Sequence, residues 1–213
     1  MKDQKEITRE INEKKILHAA ESVFAQYGYK GATTEQISKV AELPKANIHY
    51  YFKTKENIYH RVLENILNDW MDAAKAFDNF EEPNVALTKY IESKMQYSRH
   101  YPAASKVWAS EIMQGAPVVG SFLETTLKDW LEDRINVLQG WIDSGKIKPV
   151  DPRAFIFLIW SVTQHYADFE HQIVILNEGN RLTDEEFAQK TQQVVEFVLA
   201  CVGLNQSNKF QEG

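Results

Sequence analysis

Lys45, Ala46, Asn47, His49 and Tyr50 fall within six residues, and these side chains are suited to gripping and reading duplex DNA. An asparagine carboxamide can pair with the N6/N7 edge of adenine, and an alanine methyl can sit against the methyl of thymine. Lysine ammonium groups and a tyrosine hydroxyl suit phosphate oxygens, which fix position without reading sequence. Lys45, Lys53, Lys55 and Tyr50 are candidates for that second task. A different constellation, His165-x-x-Asp168-x-x-His171, has metal-ligating side chains. On a helix, however, successive steps of three drift by about 60°, so the outer imidazoles diverge. No further histidine or cysteine lies nearby in sequence to complete the shell. These side chains are expected to make polar contacts instead.

DNA-reading side chains need a frame that presents them. The chain shows no convincing period-two alternation and reads as helix after helix. Ile16, Ala20, Val23 and Tyr27 recur at helical spacing, and Gly28 and Gly31 punctuate their end. Thr33-x-x-Gln36 has the form of a capping box. Pro44 marks another start, because proline fits a first helical turn. The spacing thus predicts two short helices, about 34–41 and 45–51, joined by Glu42-Leu43-Pro44. A pair so short must pack on its neighbours, which is the geometry of a helix-turn-helix. Ile48 and Phe52 would face the core, leaving the candidate DNA contacts on or near the outward face. Thr54 would cap the next helix, carrying Ile58, Val62, Ile66 and Trp70. Further on, Pro83, Pro102, Asp151-Pro152 and Thr183-x-x-Glu186 mark later helix starts. The fold expected is all-α with about nine helices, and the polar stretch from Asn205 to Gly213 is expected to fray.

Charge is compatible with this reading once it is divided. Residues 1–62 hold 11 Lys+Arg against 8 Asp+Glu, a balance of +3; the remainder hold 13 against 22, giving the overall −6. Because exposed charges are screened beyond ~10 Å, a basic head on an acidic body still attracts phosphate locally. Cys201 is the only cysteine, so no internal disulfide forms, which suits a reducing cytoplasm. The first residues lack a signal-peptide core, and no apolar run is long enough to span a bilayer.

The stretch Ile16–Val62 resembles the DNA-binding domain of the TetR family. The resemblance rests on Ala20-x-x-x-Phe24, Tyr27-Gly28-Tyr29-x-Gly31, Thr34-x-x-x-Ile37 and Lys45-x-Asn47-x-x-Tyr50-Tyr51-Phe52-x-x-Lys55-Glu56. It implies phosphate contacts from Thr34, Lys45, Tyr50 and Lys55, and base reading by residues near 46–49. The family's turn usually carries glycine where this chain has Glu42, and serine where it has Pro44. If the backbone at Glu42 keeps positive φ, a side chain there costs about 1 kcal/mol.

The resemblance continues beyond the head. Tyr90-Ile91-x-x-Lys94, Ser98-Arg99-x-Tyr101-Pro102, Gly140-Trp141-x-x-Ser144-Gly145-Lys146 and Ile159-Trp160-x-x-Thr163-Gln164-His165-Tyr166-Ala167-Asp168-Phe169 are similar to a branch that responds to uracil and thymine. It implies a DNA-binding domain over 1–54 and a ligand-binding and dimerisation domain over 55–213. A pyrimidine needs flat walls, for which Trp70 and Trp160 are candidates. It also needs a donor beside an acceptor, which Gln164 supplies on the helix face of Trp160. Alternatively, these tryptophans are core and Gln164 satisfies a backbone group. Helices near 152–176 and 183–203 would pair two subunits, burying Val194, Val198 and Val202. The partners implied are a palindromic operator, a small effector and a second copy of the chain; no enzymatic cofactor is implied. Competing readings are a regulator of the same type for another small apolar or aromatic effector, a metal-dependent helical enzyme built on His165, Asp168 and His171, and a helical protein adaptor.

Overall fold

The computed structural model describes residues 4–74 and 82–204; the predicted fray of 205–213 lies outside the described residues. Among them no strand occurs, and nine helices run eight residues or longer. These are α1 (Gln4–Gly31), α2 (Thr34–Ala41), α3 (Lys45–Phe52), α4 (Lys55–Ala74), α5 (Pro83–His100), α6 (Pro102–Met113), α8 (Lys128–Asp143), α9 (Pro152–Asp168) and α11 (Asp184–Cys201). Shorter pieces, α7 (Gly120–Phe122) and α10 (Glu170–Leu176), complete the order, and a π-helical turn over Leu123–Leu127 leads into α8. No helix among the described residues is long and apolar enough to cross a membrane.

Local chemistry sets the boundaries. Thr33 caps α2 in both directions: its hydroxyl accepts from the Gln36 backbone N–H at 3.2 Å, and its own N–H donates to Gln36 Oε1 at 2.7 Å. Thr183 and Glu186 repeat the device at α11, and Asp151 Oδ1 accepts from the Ala154 N–H at 2.7 Å to start α9. Gly28, at φ 66°, interrupts helical geometry inside the α1 run, a conformation that L side chains resist.

Two compact units emerge. The first joins 1–70 with 103–120, so α4 continues well past the expected division at 54/55 and α6 contributes as well. Its core is the α1 stripe Ile16, Ala20, Val23 and Phe24, closed by Ile37, Ile48, Ile58, Val62 and Ile66. The second joins 71–102 with 121–213. Leu87, Ile91 and Met95 of α5 pack there with Leu138, Ile156, Ile159, Val195 and Leu199. Val194, Val198 and Val202, expected between subunits, are instead buried in this core of a single subunit. A one-sided stripe shows that a helix buries a face but not against which neighbour. The large apolar side chains that α9 and α11 leave exposed are Phe157, Leu158 and Phe197.

Glu42 adopts φ 54°, ψ 39°, the left-handed conformation that its place in the turn demands. Its N–H and that of Leu43 return to α2 carbonyls, which fixes the turn. Because the geometry is imposed by these bonds and not by the side chain, Glu42→Gly is expected to stabilise the chain by about 1 kcal/mol, offset in part by unfolded-state entropy. Chemical denaturation measures this directly, and a lower midpoint would show that the Glu42 side chain contributes more than its backbone strain costs.

Candidate DNA interface and effector site

α3 is anchored by two side chains and open on the other side. Ile48 and Phe52 are buried, one turn apart, while Tyr50 on the opposite face is 77% exposed. Lys45, Ala46 and His49 are exposed and Asn47 is half-buried at the edge of the same surface. The structure therefore presents Lys45, Ala46, Asn47, His49 and Tyr50 together at the surface. Pro44 begins the helix at φ −56° with no side-chain cap, and its carbonyl accepts from the Asn47 N–H at 2.8 Å. The rings of Tyr50 and Tyr51 meet edge to face at 5.2 Å. Thr34 opens α2, half-buried beside its exposed cap Thr33.

Lys55 is also engaged within the chain. Its ammonium donates to the Tyr29 and Ala32 carbonyls at 2.7 and 2.9 Å and lies 4.6 Å from the Tyr29 ring centre. Tyr29 lies in the last turn of the α1 run and Ala32 just past it, where helix geometry leaves acceptors unsatisfied. Lys55 thus ties α4 to the end of α1, and its motif position reflects that clamp.

Sequence reasoning missed Glu111. This carboxylate, 2% exposed, accepts from the Tyr59 hydroxyl at 3.0 Å and from the Val118 and Val119 N–H groups at 2.6 and 3.2 Å. Burial, reinforced by this carboxylate, pushes the Tyr59 phenol above its ordinary pKa. Tyr59 also packs on Phe24 and Tyr29, at centroid distances of 4.9 and 4.7 Å. In the same unit, burial and the neighbouring Asp69 raise the Glu21 carboxyl to about 7.

The expected effector residues divide between the units. Trp70 packs on Trp108 at 5.0 Å in the first. In the second, Trp160 stacks near-parallel with Trp130 at 6.2 Å and donates its indole N–H to the Tyr90 hydroxyl at 2.8 Å. Gln164 is half-buried one turn after Trp160. Trp130 Nε1 is buried without a hydrogen-bond acceptor, and the Arg134 guanidinium lies 5.9 Å from its ring. Lys94 stands 6.0 Å from the Tyr90 ring; burial lowers its pKa to about 8, against the pull of Asp168. Trp130, Trp160 and Tyr90 thus form an aromatic cluster with the Arg134 and Lys94 cations beside it. By contrast, His165 stacks on Phe169 at 4.9 Å, and no group of three metal-ligating side chains gathers among the described residues.

Residues 16–62 match the family model described as bacterial regulatory proteins of the tetR family, and residues 63–205 match the YcdC-like protein C-terminal region. The chain belongs to the TetR family. It is 39% identical over 194 residues to the transcriptional regulator RutR of Escherichia coli, covering 90% of this chain and 91% of that one. The repressor NicS of Pseudomonas putida is 31% identical over 135 residues, 62% of each chain. Among solved structures, KstR2 of Mycobacterium tuberculosis superposes with a TM-score of 0.68 at 19% identity, covering 89% of this chain and 94% of its own. AibR, solved with isovaleryl coenzyme A and operator DNA, gives 0.67 at 18%, covering 87% and 97%. These two likenesses show the TetR fold. The protein is a TetR-type DNA-binding transcriptional regulator, not an enzyme.

Proposed function

We propose that this regulator is a cytoplasmic homodimeric repressor whose paired α3 helices occupy a palindromic operator until a pyrimidine such as uracil or thymine releases it. The observation that carries the DNA half is the surface of α3, where Ala46, Asn47, His49 and Tyr50 surround a helix anchored from behind by Ile48 and Phe52. A two-fold axis would set two such helices one duplex turn apart, about 34–36 Å. Support for the effector half is the stacked Trp130–Trp160 pair, with Gln164 one turn on to pair with the N–H and C=O edge of a flat ring. Release follows if the effector favours a conformation whose α3 helices no longer match the operator, because a ligand shifts an equilibrium only by its differential affinity.

A duplex from the protein's own promoter region tests the first half. Changing Asn47 and Tyr50 together to alanine removes one base contact and one phosphate contact, with an expected loss of about 10²–10³-fold in operator affinity. Unchanged affinity would remove α3 from the interface. For the second half, calorimetry with uracil and thymine should show binding that Gln164→Ala abolishes, and uracil should free the operator. Absence of heat at millimolar nucleobase retires the pyrimidine while leaving the DNA reading intact.

A further inference from the structure

The first three turns of α1 do something that neither family region accounts for. The match to the DNA-binding family begins at residue 16, yet α1 begins at Gln4. Between residues 4 and 15 no side chain is buried, so core packing gives this stretch no reason to persist as helix. Twelve residues on their own are marginal as a helix in water, so this stretch depends on its continuity with the rest of α1.

Lys14 apart, its charges are sorted by side, with Lys15 about 60° from Asn12. Asn12 donates from Nδ2 to the Tyr51 hydroxyl at 3.2 Å, which identifies the edge of α1 that faces the recognition helix α3. At about 100° per residue, Lys5 lies within about 20° of Asn12 and Arg9 within about 60°, with Thr8 about 40° to the other flank. Glu6, Glu10 and Glu13 lie about 100–160° from Asn12, with Glu13 about 40° beyond Arg9. Both Lys5 and Arg9 are exposed. Following the helix outward from Asn12, Arg9 comes about 4.5 Å further along and Lys5 about 10 Å further along. The basic edge is thus continuous with the α3 surface through Tyr51, whose neighbour Tyr50 is the most exposed aromatic residue there.

We infer that the N-terminal turns of α1 form a second DNA-binding strip, in which Lys5 and Arg9 grip phosphates of the duplex flanking the sequence read by α3. The occupant is the sugar–phosphate backbone: the strip offers cations and a hydroxyl and lacks an array of base-reading side chains. It rests on the assignment of α3 as the reading helix and extends the footprint outward from it. The strip adds affinity and salt dependence to binding and leaves sequence preference to α3.

Lys5→Ala/Arg9→Ala tests this, since alanine is the best helix former and neither side chain is buried. Binding is measured across salt concentrations on two duplexes, one with a helical turn of DNA on each side of the operator and one trimmed flush. On the flanked duplex the double variant should lose about ten-fold or more in affinity, and its log–log salt slope should fall by about 0.9 for each phosphate released. Lys5→Glu/Arg9→Glu should lose more. On the trimmed duplex wild type and variants should bind alike. Equal affinity and slope on the flanked duplex would overturn the strip, as would an equal loss on both duplexes. If instead the Asn47/Tyr50 variant binds the trimmed operator as well as wild type does, it is the α3 assignment that fails, and the strip fails with it.

Discussion

Phe197→Glu is expected to leave each subunit folded, convert the proposed dimer to monomers and reduce operator affinity by about 10²–10⁴-fold. Phe197 is 70% exposed on α11, so the substitution removes little from the core of the subunit. Beside it run Leu158 and Val162 of α9, with Val194 and Val198 forming the floor of an open apolar groove. A two-fold contact uses the same patch from both subunits, so one substitution places two carboxylates into it. Desolvating each costs several kcal/mol, and no lysine or arginine is among the described residues that line the groove. The loss in DNA binding follows because a dimer holds its second reading head at millimolar effective concentration, and a monomer binds each half-site alone. Sedimentation velocity and operator titration read both effects. A dimeric variant with wild-type affinity would move the two-fold contact off α9 and α11.

That prediction uses residues which the pattern of the sequence could not have chosen. Val194, Val198 and Val202 form a regular stripe, and such a stripe reports that one face of α11 is buried. It carries no information on whether the neighbour belongs to the same chain. Phe197 breaks the stripe, and only its exposure marks it as available to a partner. Elements fixed by local chemistry were far more legible. The caps at Thr33, Asp151 and Thr183 depend on side chains reaching backbone groups three residues on, so their residue types reveal them. The α3 surface was legible for a related reason, since Ile48 and Phe52 one turn apart leave the remaining residues nowhere to point but outward. Lys55 clamps two carbonyls, a task the sequence does not reveal because such a lysine looks like one that contacts phosphate. Trp70 and Trp160 share aromatic character in the sequence, yet the ring of Trp70 packs on Trp108 in the first unit.

Glu111→Ala should cost the folded protein about 3–5 kcal/mol, far beyond the usual effect of a helix substitution. The carboxylate is buried and serves three donors: the Tyr59 hydroxyl and the Val118 and Val119 N–H groups. Each donor left buried without an acceptor costs about 1–3 kcal/mol, and alanine also leaves a void where the side chain stood. Water entering that space would recover part of the loss, which holds the expectation below the sum of the three. Two milder changes separate the terms. Tyr59→Phe removes one donor together with its bond and should cost about 1–2 kcal/mol. Glu111→Gln keeps an amide oxygen for the backbone N–H pair, and the Tyr59 hydroxyl can then accept from the amide, so it should fall in the same lower range. Denaturant midpoints with unchanged slopes would rank the three variants, with alanine well apart. A loss for Glu111→Ala no larger than for Tyr59→Phe would mean that the backbone N–H groups find other acceptors. Because Tyr59 packs on Tyr29, whose carbonyl Lys55 holds, the same substitution loosens the contact between α4 and the end of α1 behind the helix-turn-helix. Operator affinity should therefore fall for Glu111→Ala even where the chain remains folded, and fall less for Glu111→Gln.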